Sequence, residues 1–262
     1  TVNDADGGSN SANIVIDIVD DKPVARDDSA SVTEDTHTSV TDNVITNDSS
    51  GADSPASFVA WTSPLNGTWG TLTDNGLGGY TYTLHDDASV QALNKGEHQT
   101  DTFTYTMQDA DGDIKTATLT VTVNGSNDDP TIVVHTGNPE NSNDTVYEAG
   151  LTGGTQAGEA ETHAGGTFTL GDADGLSNIA GITIGTTTIA IADLGNNNVI
   201  NGSNGTLTIT HYDSNTGEVT YTYDLTSPVG NAVGSDAGSD NFTVTVNDAD
   251  GGSNSANIVI DI

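Results

Sequence analysis

Hydrophobic and polar residues alternate along most of this chain with a period of two. In DTFTYTMQ, Phe103, Tyr105 and Met107 fall on one side of the pattern and Thr102, Thr104 and Thr106 on the other. ATLTVTV repeats it with Leu119, Val121 and Val123, and VTYTYDL with Val219, Tyr221, Tyr223 and Leu225. Such runs, bounded by Gly, Asn and Asp, predict half-buried β-strands. The one helical stretch is DASVQALNKGE at 87–97, read as a single turn in a connection.

The pattern also repeats at long range. TDTFTYTMQDADGD at 100–113 matches SDNFTVTVNDADGG at 239–252, and GTLTDNGLGGYTYTL at 70–84 resembles GTLTITHYDSNTGEVTYTYDL at 205–225. Each member of the second pair reads as a hairpin with a Gly-containing turn. Residues 1–18, TVNDADGGSNSANIVIDI, recur unchanged at 245–262. The acidic, Pro-marked stretches VDDKPVARDD at 19–28 and NGSNDDPTIV at 124–133 read as junctions. The expected organisation is the last loop and strand of a preceding repeat at 1–18, a junction at 19–23, a sandwich at 24–125, a junction at 126–129 and a second sandwich at 130–262. About seven short strands in 100 to 130 residues fit an immunoglobulin-like β-sandwich, with a jelly roll as the alternative. The fold class is therefore all-β, two tandem immunoglobulin-like sandwiches in an elongated array, each repeat touching mainly its neighbours in the same chain.

Charge changes the picture. The chain carries 38 Asp and Glu against 4 Lys and Arg, a formal net charge of -34. Its hydrophobic fraction is 33%, and the 31 glycines bring the apolar share to about 45%, as in globular proteins. Such acidity excludes nucleic acid and anionic membrane surfaces as partners and points to cations. There are no cysteines, so metal is the candidate staple in place of disulfides. No apolar run reaches the roughly 20 residues of a membrane-spanning helix.

ARDDSASVTEDT, NVITNDS, GTLTDNGLGGYTYTL, TDTFTYTMQDADGD and ATLTVTVNGSNDDP occur in order and together resemble a VCBS-type repeat of giant RTX-type bacterial adhesins. The second domain, with VYEAGL, GDADGLSN and NDADGG, is similar to the cadherin-like repeats of the same type I-secreted proteins. The resemblance implies a calcium-stiffened extender at the bacterial cell surface, extracellular, holding a ligand-binding tip away from a Gram-negative cell. The GGxGxD nonapeptide of the calcium β-roll is absent. The stretch AGLTGGTQAGEAETHAGG at 149–166 is longer and simpler than such repeats lead one to expect.

Calcium takes six to eight oxygens from carboxylates, carbonyls and amides. Asp-x-Asp-Gly offers two carboxylates on a tight turn, and occurs at Asp4–Gly7, Asp109–Gly112, Asp172–Gly175 and Asp248–Gly251. Alone, each reads equally well as a plain hairpin turn, and no Glu closes an EF-hand loop. Sandwich topology sharpens the reading. The last hairpin loop lies at the end where the domain begins, which sets Asp248 and Asp250 beside Asn127, Asp128 and Asp129, with Asp172 and Asp174 joining from the loop between the second and third strands. Asp109, Asp111 and Asp113 likewise face Asp17, Asp20 and Asp21. The first strand runs away from that end, so Glu34 and Glu148 arrive at the far pole, Glu34 meeting the 127–129 linker. This resembles the cadherin layout, with Ca2+ caught between a strand glutamate, a linker and the next domain's loops. Asp48 and Asp53 form either a further ion site or an Asx-rich turn.

Other chemistry is weak. Trp61 and Trp69 read as sandwich tryptophans or as a sugar platform, and the threonine rows as solvent faces of strands. The histidines at 37, 85, 98, 135, 163 and 211 show neither metal-ligand spacing nor a nucleophile–base arrangement. The expectation is no enzyme and no small-molecule substrate; a calcium-dependent lectin module is the alternative to the spacer.

Overall fold

The computed structural model describes residues 1–135, 144–230 and 238–262. They gather into two compact units, one of residues 1–31, 39–83 and 100–122, the other of residues 32–38, 84–99 and 123–262. The chain is nearly all β, as the alternation predicts, in two immunoglobulin-type sandwiches.

Two short strands come first, β1 (Val2–Asn3) and β2 (Ser9–Asn10), paired with each other in a two-stranded sheet. The strands β3 (Asp28–Thr33), β4 (Ser39–Asn43), β5 (Ser57–Trp61), β6 (Gly70–Gly76), β7 (Gly79–Leu84), β8 (His98–Gln108) and β9 (Ile114–Asn124) follow. They form a four-stranded sheet in the order β3-β9-β8-β5 and a three-stranded sheet in the order β4-β7-β6. The inward positions are the apolar ones of the period-two pattern: Phe103, Tyr105, Met107, Leu119 and Val121 are at most 1% exposed. Trp61 packs its ring 5.7 Å from Phe58, 6.1 Å from Tyr80 and 5.8 Å from Tyr105, the contacts of a sandwich tryptophan. The helical turn α1 (Ala88–Gln91) forms within the expected stretch, because the Asp87 carboxylate caps the amides of Ser89 and Val90.

The later strands are β10 (Thr131–Val134), β11 (Asp144–Thr145), β12 (His163–Gly171), β13 (Ile179–Ile184), β14 (Thr187–Ala190), β15 (Asn198–Asn201), β16 (Gly205–Tyr212), β17 (Glu218–Leu225), β18 (Ser239–Asp248) and β19 (Ser253–Asp261). Two five-stranded sheets result, β10-β12-β17-β16-β15 and β11-β19-β18-β13-β14. The strand number exceeds the seven read from the sequence, since β14 and β15 add an edge to each sheet. The stretch 149–166 resolves into turns through Ser-free Gly-rich chain, with β12 beginning at His163.

The match between 100–113 and 239–252 carries a feature that the alternation does not announce. Asp101, 6% exposed, and Asp240, 2% exposed, occupy equivalent positions in β8 and β18. The Tyr82 hydroxyl donates to Asp101 at 2.7 Å, and the Tyr223 hydroxyl to Asp240 at 2.8 Å. The same carboxylates accept the amides of Thr68, Trp69 and Gly70 in one sandwich and of Asn204 and Gly205 in the other. A buried charge is tolerable only when so saturated with donors.

Candidate metal centres

Each Asp-Ala-Asp-Gly motif folds by one rule. The first Asp turns one oxygen inward, onto backbone amides of its own loop. Asp248 Oδ1 accepts the amides of Asp250, Gly251 and Gly252 at 2.8, 2.6 and 2.8 Å. Asp109 Oδ1 accepts those of Gly112 and Asp113 at 3.0 and 2.7 Å, and Asp172 Oδ1 that of Asp174 at 3.0 Å. The closing glycines, Gly112, Gly175 and Gly251, sit at φ of 102°, 99° and 107°, where a side chain is strained. The loop thus spends one carboxylate oxygen on its own shape and leaves the other without a partner in Asp109 and Asp172, while in Asp248 the Asn127 amide reaches it.

In the second unit carboxylates from three separate segments converge. Glu34, Asp128 and Asp174 place carboxylate oxygens within 4.8 Å of one another. Glu34 is 1% exposed; its Oε1 accepts the Ser126 amide at 2.6 Å while Oε2 has no partner. Asp174 Oδ2 accepts the Asp128 amide at 3.0 Å and the Asn178 side chain at 3.2 Å, leaving Oδ1 without a partner. Asn127 donates its amide to Asp248 Oδ2 at 3.0 Å. Asn127 Oδ1, Asp128 Oδ2 and Asp172 Oδ2 are also buried without a partner. Asp129 approaches the same loop, since a β-carbon on Gly252 would stand 2.5 Å from its Oδ1. Orphaned buried acceptors are costly and rare, and those of Glu34, Asp128 and Asp174 belong to one cluster of carboxylates. Burial pushes the Glu34 carboxyl up to about 7, against the Ser126 amide and with the charges of Asp35, Asp128 and Asp174 adding to it. Asp172 is raised to about 6 by burial, with Asp174, Asp248 and Asp128 contributing, and Asp128 is raised for the same first reason. Burial acts on Asp248 too, but the Asn127 amide and the loop amides outweigh it and hold that carboxyl below the usual range.

In the first unit, Asp20, Asp53 and Asp111 form a second group within 4.8 Å, with Asp20 and Asp111 exposed. Asp109, 3% exposed, carries a further buried oxygen without a partner, and its neighbouring carboxyl raises that of Asp111. Asp20 is likewise raised, chiefly by the neighbouring Asp113 carboxyl. Lys22 Nζ lies 2.7 Å from Asp113 Oδ2 and holds that carboxyl below the usual range.

The structure therefore brings Glu34, Asn127, Asp128, Asp129, Asp172, Asp174 and Asp248 to one place, and Asp20, Asp109, Asp111 and Asp113 to another. Other candidates lie outside these groups. Asp250 contributes its amide to the Asp248 turn, Asp21 accepts the Ala52 amide at 2.8 Å, and the Glu148 carboxylate accepts the Val229 amide. Asp17 is exposed and belongs to neither group. Of the two readings of Asp48 and Asp53, the shared ion site does not form among the described residues. Asp48 accepts the Arg26 amide at 2.7 Å and meets the Tyr105 hydroxyl, whereas Asp53 joins Asp20 and Asp111. Asn178 escaped the sequence reading, although it follows the Asp172–Gly175 motif by three residues.

Both groups offer a hard, all-oxygen donor set with unused lone pairs, which fits calcium and suits neither soft metals nor the imidazole sites of zinc. Among the described residues no helix is long and apolar enough to cross a membrane. No curated protein sequence matches the chain significantly. Among solved structures, it is similar to the protocadherin gammaB4 extracellular domain at 16% identity and a TM-score of 0.47, covering 94% of this chain and 33% of that one. Mouse cadherin-23 EC22-24 matches at 15% identity and a TM-score of 0.41, over 92% of this chain and 66% of that one. The human desmocollin-1 ectodomain matches at 14% identity and a TM-score of 0.36, over 93% and 37%. The chain spans a third to a half of the first structures it matches. The family model of the bacterial cadherin-like domain matches residues 20–125.

Proposed function

We propose that this chain is a structural extender segment of a bacterial surface adhesin, extracellular and exported by type I secretion, whose sandwiches are stiffened by calcium at their junctions. The observation that carries the reading is the set of five buried, unpartnered oxygens from Glu34, Asn127, Asp128, Asp172 and Asp174. Carboxylates so placed repel one another when charged; a divalent cation would satisfy those of Glu34, Asp128 and Asp174 together. Glu34 and Asp174 would hold the ion from opposite loops, and Asn127 and Asp128 would tie the 126–129 linker to it. The adhesive role rests on the cadherin-like match over 20–125 and on the repetition of 1–18 at 245–262.

Calorimetric titration with calcium tests the reading directly. Binding in the range of about 0.01–1 mM, lost in Glu34→Gln/Asp174→Asn, is the expected result. A protein that takes up no calcium, with the same melting curve in chelator and in calcium, refutes it. Scattering-derived maximum length should grow and sharpen on calcium addition if the role is that of a spacer.

A further inference from the structure

We infer that Lys22 is a built-in competitor for the cation at the Asp20–Asp53–Asp111 group, so that this site fills after the Glu34–Asp128–Asp174 site. The inference rests on the calcium reading above and adds an order of filling to it. Only four Lys and Arg exist in the chain, at 22, 26, 95 and 115. Lys22 Nζ stands 2.7 Å from Asp113 Oδ2 and 3.9 Å from Asp20 Oδ2. Asp20 is itself one of the three clustered carboxylates, so the ammonium reaches the group directly as well as through Asp113. The buried, unpartnered Asp109 Oδ2 beside Asp111 marks the group as more than a patch of surface acids.

The two sites differ in physical terms. Around Glu34 the neighbours that act on the carboxylate are other carboxylates and one amide. Around Asp20 an ammonium already offsets part of the negative charge, and its side chain is 61% exposed, so it can swing into solvent. A divalent ion entering there must break the Lys22–Asp113 contact and bear the repulsion of a nearby positive charge. Exposed ion pairs are weak, and the repulsion is doubled for a divalent ion, which together are worth about fivefold in affinity. The pair is also screened by salt.

Calcium titration of the full chain, comparing wild type, Lys22→Met, Asp113→Asn and the double variant, tests this. Two classes of site are expected in the wild type. Lys22→Met should tighten the weaker class about fivefold and leave the tighter class unchanged, and the effect should shrink on the Asp113→Asn background. In chelator, Lys22→Met should melt lower than wild type, because the ammonium no longer offsets the carboxylates, while its rise on adding calcium grows. Calcium binding by the wild type with the weaker class unmoved by Lys22→Met overturns the inference alone. Weakening of both classes assigns Lys22 a structural role and overturns it too. No binding by the wild type overturns the calcium reading with it.

Discussion

At the scale of residues, the chain's behaviour turns on carboxyls held in the wrong charge state for an empty interior. Glu34 titrates at about 7 against an ordinary 4.5, and Asp172 at about 6 against 3.8, both through burial first. Their folded values are raised, so the folded protein keeps protons that the unfolded chain has already released. Without metal, that contribution to stability is fully present below pH 4 and is lost as the pH rises through about 7. Asp27, Asp113 and Asp213 are held below their usual value, and their contribution is lost only under more acid conditions. Chelated protein should therefore melt higher at pH 5.5 than at pH 8. In excess calcium the order should reverse, because the ion needs the charged forms and protons compete with it. Calorimetric melting in chelator and in calcium at the two pH values checks both signs. Glu34→Gln should raise the melting temperature in chelator at pH 8 and abolish most of the calcium-dependent rise.

At the scale of elements, the Tyr–Asp pairs fasten each hairpin to the opposite sheet. Removing the carboxylate in Asp240→Ala strands the Tyr223 hydroxyl and the amides of Asn204 and Gly205, a loss of about 2–4 kcal/mol in urea unfolding of the second unit. Tyr223→Phe, which leaves the amide donors satisfied, should cost about 1 kcal/mol. The glycines at these corners are part of the same device. A β-carbon on Gly205 would stand 2.3 Å from the Tyr223 hydroxyl and 2.5 Å from the Asp224 carbonyl, and on Gly70 2.5 Å from the Tyr82 hydroxyl and the Thr83 carbonyl. Gly205→Ala should therefore destabilise as much as the Asp240 change, although it deletes nothing. The strands around these corners were legible because period two reports which face is buried. The Asp101 and Asp240 locks were not, because a charged residue inside a strand breaks that period, and only the donors brought by a distant hairpin explain it. The internal match at 100–113 and 239–252 held the one signal, the same Asp beside the same Phe in both copies.

At the scale of the whole molecule, calcium should act as a stabiliser of both units. At ten times a typical extracellular dissociation constant each site adds about 1.4 kcal/mol, and two sites should raise the melting temperature by several degrees. The eighteen repeated residues show where sequence stops deciding. At 253–261 they form β19, with Ile258 and Ile260 at 0% exposure and paired to Phe242 and Asp240. At the other copy, Ile14, Ile16 and Ile18 are 90%, 79% and 92% exposed, and the strands are only Val2–Asn3 and Ser9–Asn10. Deleting 1–18 should leave the melting temperature nearly unchanged, whereas deleting 253–262 should unfold the second unit; circular dichroism of the two truncations reads this directly. Local order follows from sequence in both copies: Asp4 Oδ1 accepts the amides of Asp6 and Gly8, as Asp248 Oδ1 accepts those of Asp250 and Gly252. A turn closes through hydrogen bonds within five residues and needs nothing else. A strand must find its partner and its cover elsewhere in the chain, so β19 exists because β18 and the opposite sheet receive it. The metal groups obey the same division. The Asp-Ala-Asp-Gly turns, the acidic junctions and the period of the strands were set by neighbours in sequence. That Asp53 joins Asp20 and Asp111, that Glu148 caps Val229 and that Glu34 meets Asp128 and Asp174 was decided by packing, which alone brings residues 34, 128 and 174 within reach of one ion.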